Sequence, residues 1–268
     1  MVDNSVEHSW NSTARVRLKL LKALGSACFS ADLTALVCQP EGAPGLSSRA
    51  WSLGARYRLG MPLDSADQHL CPGCSAAMDG LGDHALCCSS LGLYSRHNDI
   101  RNEVASLCQE AGYLVELEKG PQGSSHRPAD LLVHGLEEGF STAIDFSVVH
   151  ALQSSDNLAD VHPGKLARAT ELRKVRESAA LCRTAGWHFC PLVLETIGAW
   201  GGRARHLSQT LANRLAIVNQ CSRKDAALAC RGRVASALLR AVCRQLERGF
   251  PEGVVGSGEA PRIDSWTF

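Results

Sequence analysis

No run of eighteen apolar residues occurs in the 268-residue sequence, which excludes a transmembrane α-helix of ordinary length. The first 24 residues, MVDNSVEHSWNSTARVRLKLLKAL, also lack a continuous apolar core of signal-peptide length. The expectation is a soluble intracellular protein with no membrane partner. Aromatic residues make up only 5% of the chain, and few of them fall in its basic C-terminal block, so base stacking is not indicated there. Low-complexity segments and internal repeats are absent apart from the short tail GVVGSG. The hydrophobic content of 45% is ordinary for a globular chain, which argues against disorder over most of it, and the length suits one large domain or two small ones.

Cysteine, by contrast, is plentiful. Twelve cysteines would suggest disulfides in a small secreted chain, but without a secretory signal free thiols and metal ligands are the better account. Cys108, Cys182, Cys190 and Cys243 lie in apolar patterns and read as core thiols. The stretch HLCPGCSAAMDGLGDHALCCS is different, because Cys71 and Cys74 form a C-x2-C knuckle followed by His84 and either Cys87 or Cys88. Four soft ligands at this spacing suit tetrahedral zinc. The spacing C-x2-C-x9-H-x3-C favours Cys88, which stands one helical turn after His84, whereas Cys87 would point elsewhere. A redox C-x-x-C or four unrelated cysteines are the alternatives, although no thioredoxin-like strand precedes Cys71. A structural zinc contributes on the order of 10–16 kcal/mol to a small module, against roughly 2–4 kcal/mol for a disulfide.

A second informative stretch is RPADLLVHGLEEGFSTAIDFSVV, residues 127–149. It reads as two short apolar strands, each interrupted by one carboxylate, Asp130 and Asp145. A lone ionised acid in such a run costs several kcal/mol, of the order of burying an unpaired charge, so each needs compensation. Gly135 to Gly139 carry turn chemistry suited to a hairpin that sets the two acids side by side, where a shared divalent cation would compensate both. The competing reading makes one acid a turn cap and the other a structural ion pair.

Charge is unevenly distributed. The net value is only +1, yet residues 201–250 hold ten Lys/Arg against two acids, Asp225 and Glu247, a local +8. Two amphipathic helices are expected there, one with Leu207, Leu211, Leu215 and Val218 on its apolar face, the other with Cys230, Val234, Leu238, Val242 and Leu246. Their remaining faces carry Arg203, Arg214, Arg231, Arg240, Arg244 and Arg248, a surface able to follow a phosphate backbone or simply to be solvated. Upstream, residues 12–37 have helical spacing, and a further helix from about Ser47 places Trp51, Leu53, Tyr57 and Leu59 before Gly60 and Pro62 stop it.

Taken together, CPGC, GDHALCC, SRHNDIRNEV, RPADLLV, AIDFSVVH, ELRKVRESAALCRTAGW and PLVLETIGAWG occur in an order and spacing that resembles the C-terminal zinc-plus-endonuclease region of eukaryotic non-LTR retrotransposon proteins. Their nuclease is similar to the PD-(D/E)XK, or restriction-endonuclease-like, superfamily, and the likeness covers roughly Trp51 to Arg248. The resemblance implies an α/β core after the zinc knuckle: a helix, three mixed strands, another helix and a fourth strand. It implies a Mg2+- or Mn2+-dependent cut of DNA, with Asp130 and Asp145 as metal ligands and Lys174, on the helix after the second acid, standing for the lysine that Ser147 replaces in the motif. Glu195 matches a recurring position at the end of the last core strand and is expected at the metal site. Arg96, His97, Arg127, Arg240 and Arg244 are the expected nucleic-acid contacts, with bracing of the zinc module as the other reading of Arg96 and His97. On residues alone, Lys174 also reads as a solvated partner of Glu171 or Glu177. The chain departs from the family at Asn102, where an acid is usual; the adjacent Glu103 is turned by about 100° around the helix.

The resulting layout is a helical region at 1–68, a zinc knuckle at 69–92, an endonuclease-like core at 93–202, a basic helical pair at 203–249 and a flexible tail at 250–268. The expected function is a DNA endonuclease of retrotransposon origin, acting in the nucleus on DNA or RNA beside a separate reverse-transcriptase region. The chain has no Asp-Asp pair, so the polymerase metal motif is missing. A catalytically silent nucleic-acid-binding module with the same fold is the alternative.

Overall fold

The computed structural model describes residues 45–63, 69–121, 128–137, 139–152 and 162–251. The helices expected over residues 12–37, Arg127 and the tail from 252 onward lie outside the described residues. Helix α1 (Ser48–Leu59) begins where Ser47 Oγ accepts the Ala50 N–H and ends at a left-handed Gly60. A short helix α2 (Asp83–Cys87) and a 3-10 turn (Ser89–Leu91) lead into α3 (Leu93–Glu110). Strands β1 (Leu114–Lys119), β2 (Ala129–Glu137) and β3 (Phe140–Val149) follow, then helix α4 (Lys165–Thr184), strand β4 (Trp187–Glu195), and helices α5 (Gly202–Val218) and α6 (Arg223–Gly249).

The four strands lie in the order β1-β2-β3-β4. The β2–β3 connection is too short for anything but a hairpin, so that pair is antiparallel, as is β1–β2. The β3–β4 pair is parallel, as a connection long enough to contain α4 permits. This is the α/β architecture with a mixed, helix-flanked sheet expected from the sequence, with elements in the expected order. Among the described residues no helix is long and apolar enough to cross a membrane.

Alternation of side chains gives the sheet two apolar faces. Leu131, Val133, Ile144, Phe146, Leu192 and Leu194 face α3 and α5, in one cluster that also takes in the apolar side of α6 and Cys71, Leu86 and Phe250. Leu132 and Ala143 face α4, where they meet Cys182, Trp187 and Phe189. Helix α6 departs from the expected single apolar stripe. Its predicted face is buried, but so are Ala237, Leu239, Ala241 and Cys243, because α1 closes on a second side with Ala50 against Leu239 and Cys243. The small residues that allow this approach carry little hydrophobic signal, and α6 is an interior helix for much of its length.

Arg233 joins α6 to α3. Its guanidinium donates to Glu103 Oε1 (2.6 Å), Glu110 Oε2 (2.5 Å) and Ser106 Oγ (3.1 Å). The hydrogen bond from Arg233 holds the Glu110 carboxyl below its usual 4.5. A carboxylate with a depressed folded value contributes stability that is full above its unfolded value and is lost as pH falls through the folded one. Arg233→Ala is therefore expected to lose about 1 kcal/mol at pH 7, a modest figure because both partners are partly solvated. Urea unfolding should show that deficit shrinking below pH 4.5; an equal deficit at pH 7 and pH 3 would contradict it.

Candidate active site and metal centre

The hairpin register pairs Leu131 with Ile144, which carries Asp130 to the position facing Asp145. The two carboxylates interact directly, and each has its own compensation. Lys174 Nζ, reaching in from α4, donates to Asp145 Oδ2 at 2.7 Å. The Phe146 N–H donates to Asp130 Oδ2 at 2.7 Å, and His97 Nε2 of α3 lies 3.4 Å from the same oxygen. The His97 ring meets Phe146 edge-on at 6.1 Å, which fixes it in this direction. Lys174 and Asp145 retain only 13% and 19% of their side-chain exposure, so the contact is not a solvated surface pair.

Burial raises the Asp145 carboxyl above its usual 3.8, the nearby Asp130 charge adds to the effect, and Lys174 offsets only part of it. Burial acts upward on Asp130 as well, but the hydrogen bonds from His97 and the Phe146 N–H outweigh it and leave that carboxyl below 3.8. Two acids of one chemistry are thus driven apart by their surroundings, as happens where a site needs groups of unequal basicity.

Glu195 and Arg96 take other places than expected, and three further expected contacts are engaged or partly buried. Glu195 is fully buried at the far end of β4, where its oxygens accept the N–H groups of Gly164 (3.0 Å) and Ala167 (3.1 Å). The parallel register sets Asp145 opposite Pro191 and Glu195 opposite Val149, so about 13 Å of strand separates Glu195 from the acidic pair. Its expected place at the metal site is corrected accordingly. Arg96, expected as a phosphate contact, is 3% exposed and donates to Leu86 O, Gln245 Oε1 and Val148 O. Burial lowers its guanidinium to about 10. Arg244 pairs with Asp99 at 3.3 Å and Arg240 is half-buried, so the α6 basic face is smaller than expected. His97 faces Asp130. Glu103 is held by Arg233, and Asn102 Oδ1 accepts from Arg101, so neither reaches the acidic pair.

The second cluster is formed by Cys71, Cys74, His84 and Cys88, whose ligand atoms all lie within 4.8 Å of one another. Cys71 and Cys88 sulfurs are 3.7 Å apart, and Cys74 Sγ lies 3.3 Å from His84 Nε2. Zn–S bonds of about 2.3 Å place tetrahedral sulfurs about 3.8 Å apart, close to the Cys71–Cys88 spacing. Cys71–Cys74 form a tight turn closed by Cys71 N–H to Ala76 O, and Asp79 accepts the N–H groups of Leu81, Asp83 and His84 to start α2. Cys87 is excluded from the cluster; burial, with the Asp83 charge next, pushes its thiol up to about 12. The cluster is tied to the end of β3 and to α6 by contacts between distant segments. His150 Nε2 meets Asp83 Oδ1 at 2.8 Å, and Gln245 Nε2 donates to Ala85 O at 2.9 Å.

No protein-family model matches the chain, and no curated protein matches it.

Metal analysis of the purified protein is expected to find about one zinc per chain, as one closed tetrahedral site requires. Cys74→Ser should lower that content, while Cys87→Ser should leave it unchanged. Full occupancy in Cys74→Ser would refute the ligand set.

Proposed function

We propose that the chain is a metal-dependent DNA endonuclease with a PD-(D/E)XK-type core and a structural zinc module, derived from a non-LTR retrotransposon. The observation that carries this reading is the contact of Asp130, Asp145 and Lys174: two acids facing each other across a hairpin, with a lysine amine 2.7 Å from one of them. Core packing alone does not account for the trio, since an apolar pair at the same positions would avoid the repulsion and the desolvation cost. The sequence likeness across the zinc knuckle, both acids and the lysine supports the same conclusion.

The two carboxylates are hard oxygen donors, partly open to solvent, and fit Mg2+ or Mn2+. When bound, such an ion supplies charge relief to phosphate oxygens and a water of raised acidity. The chain's own groups do the rest. Asp130 is held in its acceptor orientation by the Phe146 N–H. Lys174 brings positive charge to the place where a scissile phosphate would lie, and this charge is worth most where water is sparse. His97, beside Asp130, offers a second donor toward the same space.

A catalytically silent nucleic-acid-binding module is the second reading. It is favoured by one observation: the acid usual in the first core helix is Asn102, which is engaged with Arg101, and Glu103 is taken by Arg233.

Plasmid nicking separates the two. With Mg2+ or Mn2+ the wild type is expected to convert supercoiled to open-circular DNA, and EDTA to stop it. Asp130→Asn and Asp145→Asn should each abolish nicking while DNA binding persists. Lys174→Ala should slow it by about 10²–10³-fold, the scale for losing one charge-stabilising donor. Equal nicking by wild type and Asp145→Asn would refute the assignment, and binding without nicking by the wild type would favour the silent module.

A further inference from the structure

Helices α4 and α5 both begin on glycine, Gly164 and Gly201, and neither cap supplies a side-chain hydrogen bond. Their first N–H groups are satisfied instead by buried glutamates from other elements. Glu195 of β4 accepts from Gly164 and Ala167 at the start of α4. Glu171 of α4, itself 4% exposed, accepts from Arg203 (3.0 Å) and Ala204 (3.2 Å) at the start of α5. Gly201 is needed for this arrangement, because a Cβ there would stand 2.0 Å from Glu171 Oε1. The chain loops back as well, with Gly201 N–H donating to Val193 O of β4. Strand β4, helix α4 and helix α5 therefore form a closed ring of contacts in which each helix start is held by a carboxylate from its neighbour.

We infer that Glu195, with Glu171 behind it, is a positioning residue that sets the axial register of α4 and so stands Lys174 level with Asp145. Lengths support it. Asp145 pairs with Pro191, four strand residues before Glu195, a span of about 13 Å at about 3.3 Å per residue. Lys174 lies seven to ten residues beyond the anchored Ala167 and Gly164, a span of about 10–15 Å at about 1.5 Å per residue. Helix and strand run back along each other over matching distances, so the amine meets the carboxylate only while the helix start stays fixed on Glu195. A slip of one turn, about 5.4 Å, would take Lys174 out of hydrogen-bond reach. Two buried glutamates are thereby explained without placing either at the reacting atoms. The catalytic consequence rests on the nuclease reading above, whereas the positioning itself does not.

The test measures lysine acetylation by mass spectrometry, on the zinc-loaded chain without DNA. In the wild type, Lys174 is expected to react about tenfold more slowly than the exposed Lys224, because it is shielded and paired. Glu195→Gln keeps the size but turns an amide toward a backbone N–H; it should bring the Lys174 rate to within about threefold of Lys224, with Lys119 unchanged as the control for general loosening. Glu171→Gln attacks the ring from its other end, should give the same loss of protection, and decides the matter if Glu195→Gln does not fold. Lys174 protection equal to wild type in the folded variants would overturn the inference, as would a rise in Lys119 and Lys174 reactivity alike. If the wild type nicks DNA, Glu195→Gln should lower kcat with KM for DNA unchanged, and should add nothing in a Lys174→Ala background, since both changes remove one interaction. A chain that never nicks DNA but loses Lys174 protection in Glu195→Gln retains the positioning and refutes only the nuclease.

Discussion

Two carboxylates facing each other across neighbouring strands repel. At about 5 Å and an effective dielectric of about 20, a pair of like unit charges costs about 3 kcal/mol. Hairpin register leaves Asp130 and Asp145 no alternative, because a slip by one residue would turn every apolar side chain of β2 to the wrong face. The surroundings answer that constraint piece by piece: a lysine from α4, a histidine from α3 and a backbone N–H from β3 itself. Each of these depends on an element being held in place. The helices beside the sheet are accordingly fixed by buried polar contacts as well as by apolar packing.

The Cys/His cluster belongs to the same logic. Arg96 reaches from α3 to Leu86 beside the cluster, to Val148 on β3 and to Gln245 on α6, so three parts of the fold share one buried guanidinium. Burying that cation is tolerable because both terminal nitrogens meet acceptors, although its buried Nε has none among the described residues. His150, at the end of the strand that carries Asp145, is held by Asp83, next to His84 in sequence. Whatever orders the cluster also orders the end of β3. A zinc ion in the Cys71, Cys74, His84 and Cys88 set would act on the sheet through these contacts, at a distance from the acidic pair.

Much of this was legible in the amino-acid order, for physical reasons. An acid inside an apolar strand is conspicuous, so Asp130 and Asp145 stand out, and the glycines between them announce the hairpin that joins them. Four soft ligands at fixed spacing announce the Cys/His cluster, and helical phase selects Cys88 over Cys87. What stayed hidden depended on contacts between distant segments. Glu195 looks like a site acid at a strand end, and nothing local tells that a helix start lies above it. Arg96 sits beside a candidate site residue, His97, yet one step around the helix turns it into the core. The small residues of α6 conceal a second buried face, so its arginines look freer than they are.

The central claim is that Asp130 and Asp145 together hold a divalent cation. Mn2+ binding to the zinc-loaded chain, followed by water-proton relaxation, tests it without DNA or turnover. The account predicts saturable Mn2+ binding in the wild type that is lost in both Asp130→Asn and Asp145→Asn, with zinc content unchanged. Equal Mn2+ binding by all three proteins, or none by the wild type, would contradict it.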